Sequence, residues 1–206
     1  MTTERSVRLS KVIVHNSVTL DGVMQAPARA DEDLRDGFAH GGWAQPYFDE
    51  ATISVVSAGI AQDGDLLLGR RTYEDFASVW PRMPEENPFT AVMNNFRKHV
   101  ASTTLEKPLA WDNSTLLEGD AAEAVAKLKE QLDNDLVILG SGELVQSLMR
   151  HNLIDRYELL IHPLVLGSGR RLFPDGGASV PLRLVDTKTT TTGVLIATYE
   201  PAEATA

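Results

Sequence analysis

The chain contains no cysteine. Disulfides, thiolate metal sites and cysteine nucleophiles are therefore excluded. No apolar run reaches the ~18 residues that a membrane-spanning helix needs. The opening stretch, MTTERSVRLSK, lacks the apolar core of a secretory signal, so a cytoplasmic protein is expected. Positive charge is scarce: 19 Lys and Arg face 29 Asp and Glu, a formal net charge of -10. That balance argues against nucleic acid and anionic membrane as partners, because both are bound through basic surface. A small anionic ligand held by a local cradle and a few arginines stays compatible with it. The five histidines, His15, His40, His99, His151 and His162, show neither an H-E-x-x-H motif nor paired spacing, so no metal is expected. A G-x-S-x-G elbow, a Walker motif and a G-x-G-x-x-G fingerprint are missing as well.

What is present reads as one α/β domain. At 206 residues the chain is long enough to bury a sizeable core. Residues 1–10 and the tail 201–206 are polar and expected to be flexible, leaving 11–200 as the domain. Short β-branched runs predict strands at 11–17, 65–68, 98–101, 114–117, 136–139, 156–162, 182–188 and 194–199. Helical spacing predicts helices from Pro46 to about Ala61, with Phe48, Ile53, Val56 and Ile60 on one face, from Arg70 to Ser78, and from Glu143 to Met149. A further Ala-rich helix runs to Leu132, with Asp120 as its N-cap and Glu123 completing a capping box. Alternating strands and helices that end in two consecutive strands predict a three-layer α/β fold. Its sheet is mostly parallel, with an antiparallel C-terminal hairpin. The excursion from Val18 to Trp43 is too long for a plain connection and is expected to be functional or mobile.

Candidate chemistry gathers at three turns that follow strands and are expected to lead into helices: Gly69-Arg70-Arg71-Thr72, Ser102-Thr103-Thr104 and Gly140-Ser141-Gly142. Ligands of open α/β sheets bind beyond the carboxyl ends of the strands. A glycine turn at a helix N-terminus suits an anion, since backbone N–H groups and the helix dipole point at it. Arg70 and Arg71 can pair bidentately with a phosphate. Asp21, Asp49 and Glu50 are the candidate proton donors. Trp43 and Trp80 are candidates for walling an aromatic ligand. The second glycine turn, Gly167-Ser168-Gly169-Arg170-Arg171, reads as a turn of architecture and assembly.

The segments SVTLDG, LLLGRRTYEDF, VASTTL and LVILGSGELVQSLMRHNLIDRYELLIHPLVLGSGRRLF follow one another between Lys11 and Tyr199. Together they resemble the dihydrofolate reductase superfamily, in particular the branch holding the reductase domain of bifunctional riboflavin-biosynthesis enzymes and stand-alone dihydrofolate reductase-like proteins. The resemblance implies a dihydrofolate reductase-like sheet and NADPH as cofactor. It places the cofactor's phosphates at Gly69, Arg70, Arg71 and Thr72, and its 2′-phosphate beside Ser102 and Thr103. The pyrophosphate falls at Gly140, Ser141, Gly142, Glu143 and Leu144. Thr19, Asp21 and Gly22 match the loop that closes over nicotinamide, and Asp49 or Glu50 falls near the acidic residue that supports substrate protonation. The implied activity is hydride transfer to a small heterocycle, pterin- or pyrimidine-like. The alternatives are 5-amino-6-(5-phosphoribosylamino)uracil reductase-type activity in riboflavin biosynthesis and an inactive NADPH-binding regulatory protein. The riboflavin branch carries a glutamate before the glycine turn, where this chain has Leu139. A homodimer is expected, with Leu164, Val165, Leu166 and Phe173 as apolar residues at its edge.

Overall fold

The computed structural model describes residues 9–50, 52–54 and 64–202. Among the described residues, eight strands form one sheet in the order β4-β3-β2-β5-β1-β6-β8-β7. They are β1 (Val12–Thr19), β2 (Gly64–Gly69), β3 (Lys98–Ala101), β4 (Ser114–Leu117), β5 (Asp135–Leu139), β6 (Arg156–His162), β7 (Leu182–Thr189) and β8 (Leu195–Pro201). The first six run parallel, and the β7–β8 hairpin joins β6 antiparallel. Among the described residues, four helices with full bounds accompany them, α1 (Arg70–Val79), α2 (Thr90–Asn95), α3 (Ala121–Gln131) and α4 (Gly142–Arg150), and residues 50 and 52–54 are α-helical as well. No helix among the described residues is long and apolar enough to cross a membrane.

The layers follow from the period-2 alternation of the strands. Val12 and Val14 of β1, Leu67 of β2 and Leu136 and Ile138 of β5 face Val125 of α3 and Leu144, Val145 and Leu148 of α4. Their neighbours Leu66, Leu68 and Val137 face the other way, onto Tyr73 of α1, Met93 of α2 and Trp111. Central strands buried on both faces read as continuous apolar runs, which made them recognisable.

Two expectations are corrected, and one helix was not expected. The turn after β3 does not start a helix. Residues 102–113 cross to β4 as an irregular segment, anchored because Leu105, Leu109 and Trp111 pack on the second core and the Tyr73 hydroxyl accepts from the Trp111 amide at 2.9 Å. The unexpected element is the short helix α2, which follows Pro81, Pro84 and Pro88. Pro46 sits in a 3-10 turn, Gln45–Tyr47, and α-helical residues begin only at Glu50. Half of the helix expected to reach Ala61, with Val56 and Ile60, lies outside the described residues, as do residues 1–8 and 203–206.

The excursion after β1 has its own small core of Val23, Ala26, Phe38, Trp43 and Ala44, closed by Leu164 and Leu166. Gln25 organises it by donating to the carbonyls of Asp33 and Arg35, while Trp43 Nε1 donates to the Gln25 carbonyl. Arg29 ties it to α1 through Asp75, at 2.5 Å.

Candidate functional site

The carboxyl ends of β1, β2, β3 and β5 open into one cleft of about 1520 Å3. The Gly69, Ser102 and Gly140 turns all line it. This is where an open α/β sheet places its ligand, since β1 connects outward to one side of the sheet and β5 to the other.

The glycine turn is held from three directions. Asn16, 4% exposed on β1, clamps Gly140: its Nδ2 donates to the Gly140 carbonyl at 2.9 Å, and its Oδ1 accepts from the Gly140 amide at 2.6 Å. Thr72 Oγ1 accepts from the Ser141 amide at 3.0 Å. Ser141 Oγ accepts from the Gly69 amide at 3.0 Å and donates to the Leu139 carbonyl at 3.1 Å. One serine thus joins the β2 turn to the β5 turn. Gly140 has φ +59, and a Cβ there would lie 3.1 Å from Thr72 Oγ1. A Cβ on Gly142 would meet Met24 Sδ at 2.5 Å.

Of the helix N-termini at the cleft, two, those of α1 and α4, have no side-chain cap. The first-turn amides of a helix have no partner within it, so these ends offer a concentration of N–H donors. The end of α3 lies at the cleft too, but there Asp120 caps the amides of Ala122 and Glu123. Basic side chains gather around the two uncapped ends. Glu143, in the first turn of α4, draws Arg71 Nη1 to 2.9 Å, Arg35 Nη1 to 3.4 Å and Arg170 Nη1 to 3.5 Å. Arg70 pairs along α1 with Glu74 at 3.7 Å. Such exposed pairs are individually weak, and an incoming phosphate can displace them.

Gly69, Arg70, Arg71, Thr72, Ser102, Thr103, Gly140, Ser141, Gly142, Glu143 and Leu144 are therefore brought together along one cleft. Ser102 Oγ accepts from the amides of Thr104 and Leu105, which shapes its turn. Thr19, Asp21 and Gly22 lie at the end of β1, outside the cleft lining. Asp21 accepts from Thr19 Oγ1 at 2.6 Å and from the amides of Leu166 and Gly167 at 3.2 and 2.8 Å. The Thr19 hydroxyl, then those amides, hold its pKa below the usual carboxylate value. It is an ionised pin for the 166–167 turn, not a poised acid. Asp49 is likewise occupied. It accepts from Thr191 Oγ1, from the Thr191 amide at 3.0 Å and from the Thr52 amide at 2.7 Å. The Thr191 hydroxyl above all depresses its pKa. Asp21 and Asp49, the two candidate proton donors, are not among the residues that line the cleft, and each carboxylate is held by hydrogen bonds outside it.

Sequence reasoning also misplaced or missed several residues. Arg170 and Arg171, given to assembly, line the cleft, and Arg171 Nε donates to the Asp21 carbonyl at 2.8 Å. Leu164 and Leu166 are partly buried in the excursion's own core, while Val165 and Phe173 are 67% and 40% exposed. Trp80 lines the cleft, whereas Trp43 packs edge-on to His162. Asn16 and His15 were missed as cleft residues. Their only signal was two polar residues inside the apolar run KVIVHNS. Among the described residues, no group of three or more His, Cys, Asp or Glu is placed to hold a metal ion.

This is a three-layer α/β domain with an anion-receptive cleft across the ends of its parallel strands. The model of the RibD C-terminal domain family matches residues 10–196, and the chain belongs to that family. Two proteins of Bacillus subtilis (strain 168), both uncharacterized, are similar to it. YyaP is 29% identical over 138 residues, covering 65% of this chain and 72% of YyaP. YwjB is 26% identical over 185 residues, covering 86% and 91%. Among solved structures, a protein of Shewanella sp. PV-4, provisionally named a riboflavin biosynthesis protein, superposes with a TM-score of 0.65 at 19% identity over 94% of this chain and 99% of that one. A pyrimidine reductase-like protein from Corynebacterium diphtheriae superposes with a TM-score of 0.59 at 10% identity over 94% and 92%. At these identities the two structures show the shared fold.

Proposed function

We propose that the protein is an NADPH-dependent reductase acting on a small planar heterocycle, pterin-, folate- or pyrimidine-like. The observation that carries this reading is the pair of uncapped helix N-termini, α1 and α4, at one cleft whose mouth holds Arg35, Arg71 and Arg170. In this reading the first-turn amides of α4 take the pyrophosphate. Those of α1, with Arg70 and Arg71, take a further phosphate, and Ser102 and Thr103 lie along the adenosine half. When bound, the dihydronicotinamide supplies a hydride. The chain's own contribution is placement: Asn16, Thr72 and Ser141 fix the turn that holds the cofactor, and the excursion after β1 excludes water from above.

Leu139 lines the cleft where the riboflavin branch carries a glutamate. The substrate's contact there is apolar, which favours a pterin- or pyrimidine-like acceptor other than the riboflavin-pathway intermediate. We also propose that a second copy of the chain covers the exposed Val165, Phe173, Leu184 and Leu195.

Titrating the protein with NADPH while following Trp fluorescence tests the reading, because Trp80 lines the cleft. Saturable quenching is expected, with weaker binding of NADH. Absence of binding at millimolar NADPH would refute it. Binding without oxidation against any pterin, folate or ribitylaminopyrimidine would favour a regulatory NADPH-binding protein instead.

A further inference from the structure

With Asp21 and Asp49 occupied elsewhere, the cleft still needs an acid, because hydride addition to a C=N or C=O bond leaves a charge on the heteroatom. The carboxylates at the cleft are mostly engaged. Asp33 pairs with Arg35 at 2.5 Å, Asp75 with Arg29 at 2.5 Å, and Glu143 with three arginines. Glu32 accepts the amides of Ala28 and Arg29 through one oxygen, at 2.8 and 3.1 Å.

His15 differs from all of these. It lies on β1 with Leu139 of β5 as its register partner on one side and Glu158 of β6 on the other. It lines the cleft and is 6% exposed. Its Nδ1 lies 3.4 Å from Glu158 Oε2. Its Nε2 is buried and has no partner among the described residues. The hydrogen bond from His15 is the main reason the Glu158 pKa is lowered, with further help from Arg156. An ionised Glu158 only accepts, so Nδ1 carries a proton in either charge state. The charged groups linked to this pair are Arg156, whose Nη1 stands 3.9 Å from Glu158 Oε1, and Glu200 of β8, 3.1 Å from Arg156 Nη2. On β5 the register partner of His15 is the apolar Leu139.

We propose that His15 is the proton donor to the substrate heteroatom, with Glu158 as the residue that positions it. The proposal rests on the reductase reading. The hydride of the reduced nicotinamide forms the new C–H bond, and the cofactor is oxidised. The π electron pair of C=N or C=O moves to the heteroatom, which takes the proton from Nε2. The imidazolium becomes a neutral imidazole that keeps Nδ1–H on Glu158, and a solvent proton restores it. Glu158 fixes the tautomer and the ring plane and stabilises the charged ring.

The test uses the full chain, with 7,8-dihydrofolate as the probe acceptor. It combines three measurements: calorimetric NADP+ binding, NADPH oxidation against pH, and 15N resonances of histidine-labelled protein. His15→Gln is expected to hold NADP+ affinity within about threefold while lowering turnover by about 10²–10⁴-fold. Loss of the pH dependence that comes from His15 is expected with it. Glu158→Gln is expected to shift that pH dependence and cost about tenfold. In the free protein the neutral His15 ring is expected as the Nδ1–H tautomer, and its Nε2 resonance is expected to move when NADP+ and dihydrofolate are added together.

Failure of the wild type to bind NADP+ sinks the reductase reading and this proposal with it. Intact NADP+ binding with turnover and pH profile unchanged in His15→Gln overturns this proposal alone. So does a pH dependence that Glu32→Gln removes and His15→Gln leaves in place. Should dihydrofolate not be reduced, the resonances decide: an Nε2–H tautomer, or an Nε2 signal indifferent to both ligands, overturns the assignment.

Discussion

Ser141 offers a test in which the smaller side chain should be the better tolerated. Its backbone has φ 53 and ψ 41, the left-handed region. Its hydroxyl accepts from the Gly69 amide at 3.0 Å and donates to the Leu139 carbonyl at 3.1 Å. Ser141→Ala removes both hydrogen bonds and keeps the Cβ. Two net hydrogen bonds at about 1 kcal/mol each give a loss of about 2 kcal/mol. The left-handed penalty of about 1–2 kcal/mol is common to Ser and Ala and cancels. Ser141→Gly loses the same two hydrogen bonds but also relieves that strain, less about 0.5–1 kcal/mol for the added freedom of the unfolded chain. Its net cost should be about 1 to 1.5 kcal/mol. Urea unfolding with a common m-value reads the difference directly. In a domain of this size the alanine variant should melt about 4–8 °C lower, and the glycine variant lower by less. An alanine variant as stable as the wild type, or more stable than the glycine variant, would refute the account of how the two turns are joined.

Further outcomes follow from the same geometry. Asn16→Asp keeps the shape but loses the donor to the Gly140 carbonyl, so it should cost about 2 kcal/mol or more at pH 7 and recover partly on acidification, when the carboxyl regains a proton to donate; chemical denaturation at pH 7 and pH 4 checks this. Glu158, Asp21 and Asp33 all have lowered pKa values. Their stabilisation is present above the unfolded carboxylate pKa of about 4 and is lost as pH falls through the depressed folded values, so the melting temperature should drop steeply below about pH 4. Glu158→Gln should flatten that limb. Burial lowers the Lys98 pKa to about 8. Between that value and the unfolded pKa of about 10.4 the unfolded chain binds more protons, so stability should rise over this window, and Lys98→Met should abolish the rise. Gly142→Ala should lower stability through its approach to Met24 Sδ, with Met24→Ala restoring part of the loss and a coupling of at least ~0.5 kcal/mol in the double-mutant cycle.

The strands were legible because β-branched runs bounded by glycine, proline and polar turns leave few alternatives, and all eight fall within about two residues of their expected limits. The cap of α3 was half legible. Asp120 accepts from the Ala122 and Glu123 amides as its residue type requires. No reciprocal hydrogen bond from Glu123 accompanies it among the described residues. The Ser102 turn misled because the residues after it resemble a helix start, while burial of Leu105, Leu109 and Trp111 fixes an irregular path.

The acids show where reading along the chain runs out. Asp21 and Asp49 stand out in the sequence because carboxylates in loops suggest proton transfer. Thr19 and Thr52 are near neighbours in sequence, but the further donors Gly167 and Thr191 lie about 140 residues away, and only the fold brings them near. His15 looked like one more packed strand histidine. Its significance depends on Glu158 standing beside it and on nothing among the described residues filling its Nε2.

Taken alone, the sequence determined the local matters: the strands, most of the helices and the glycine turns at strand ends. These follow from periodicity and backbone freedom, which a few neighbouring residues decide. Which of those turns share a cleft, which arginines gather at its mouth and which carboxylates are already engaged are contacts between distant segments, and the strand order β2-β5-β1-β6 decides them.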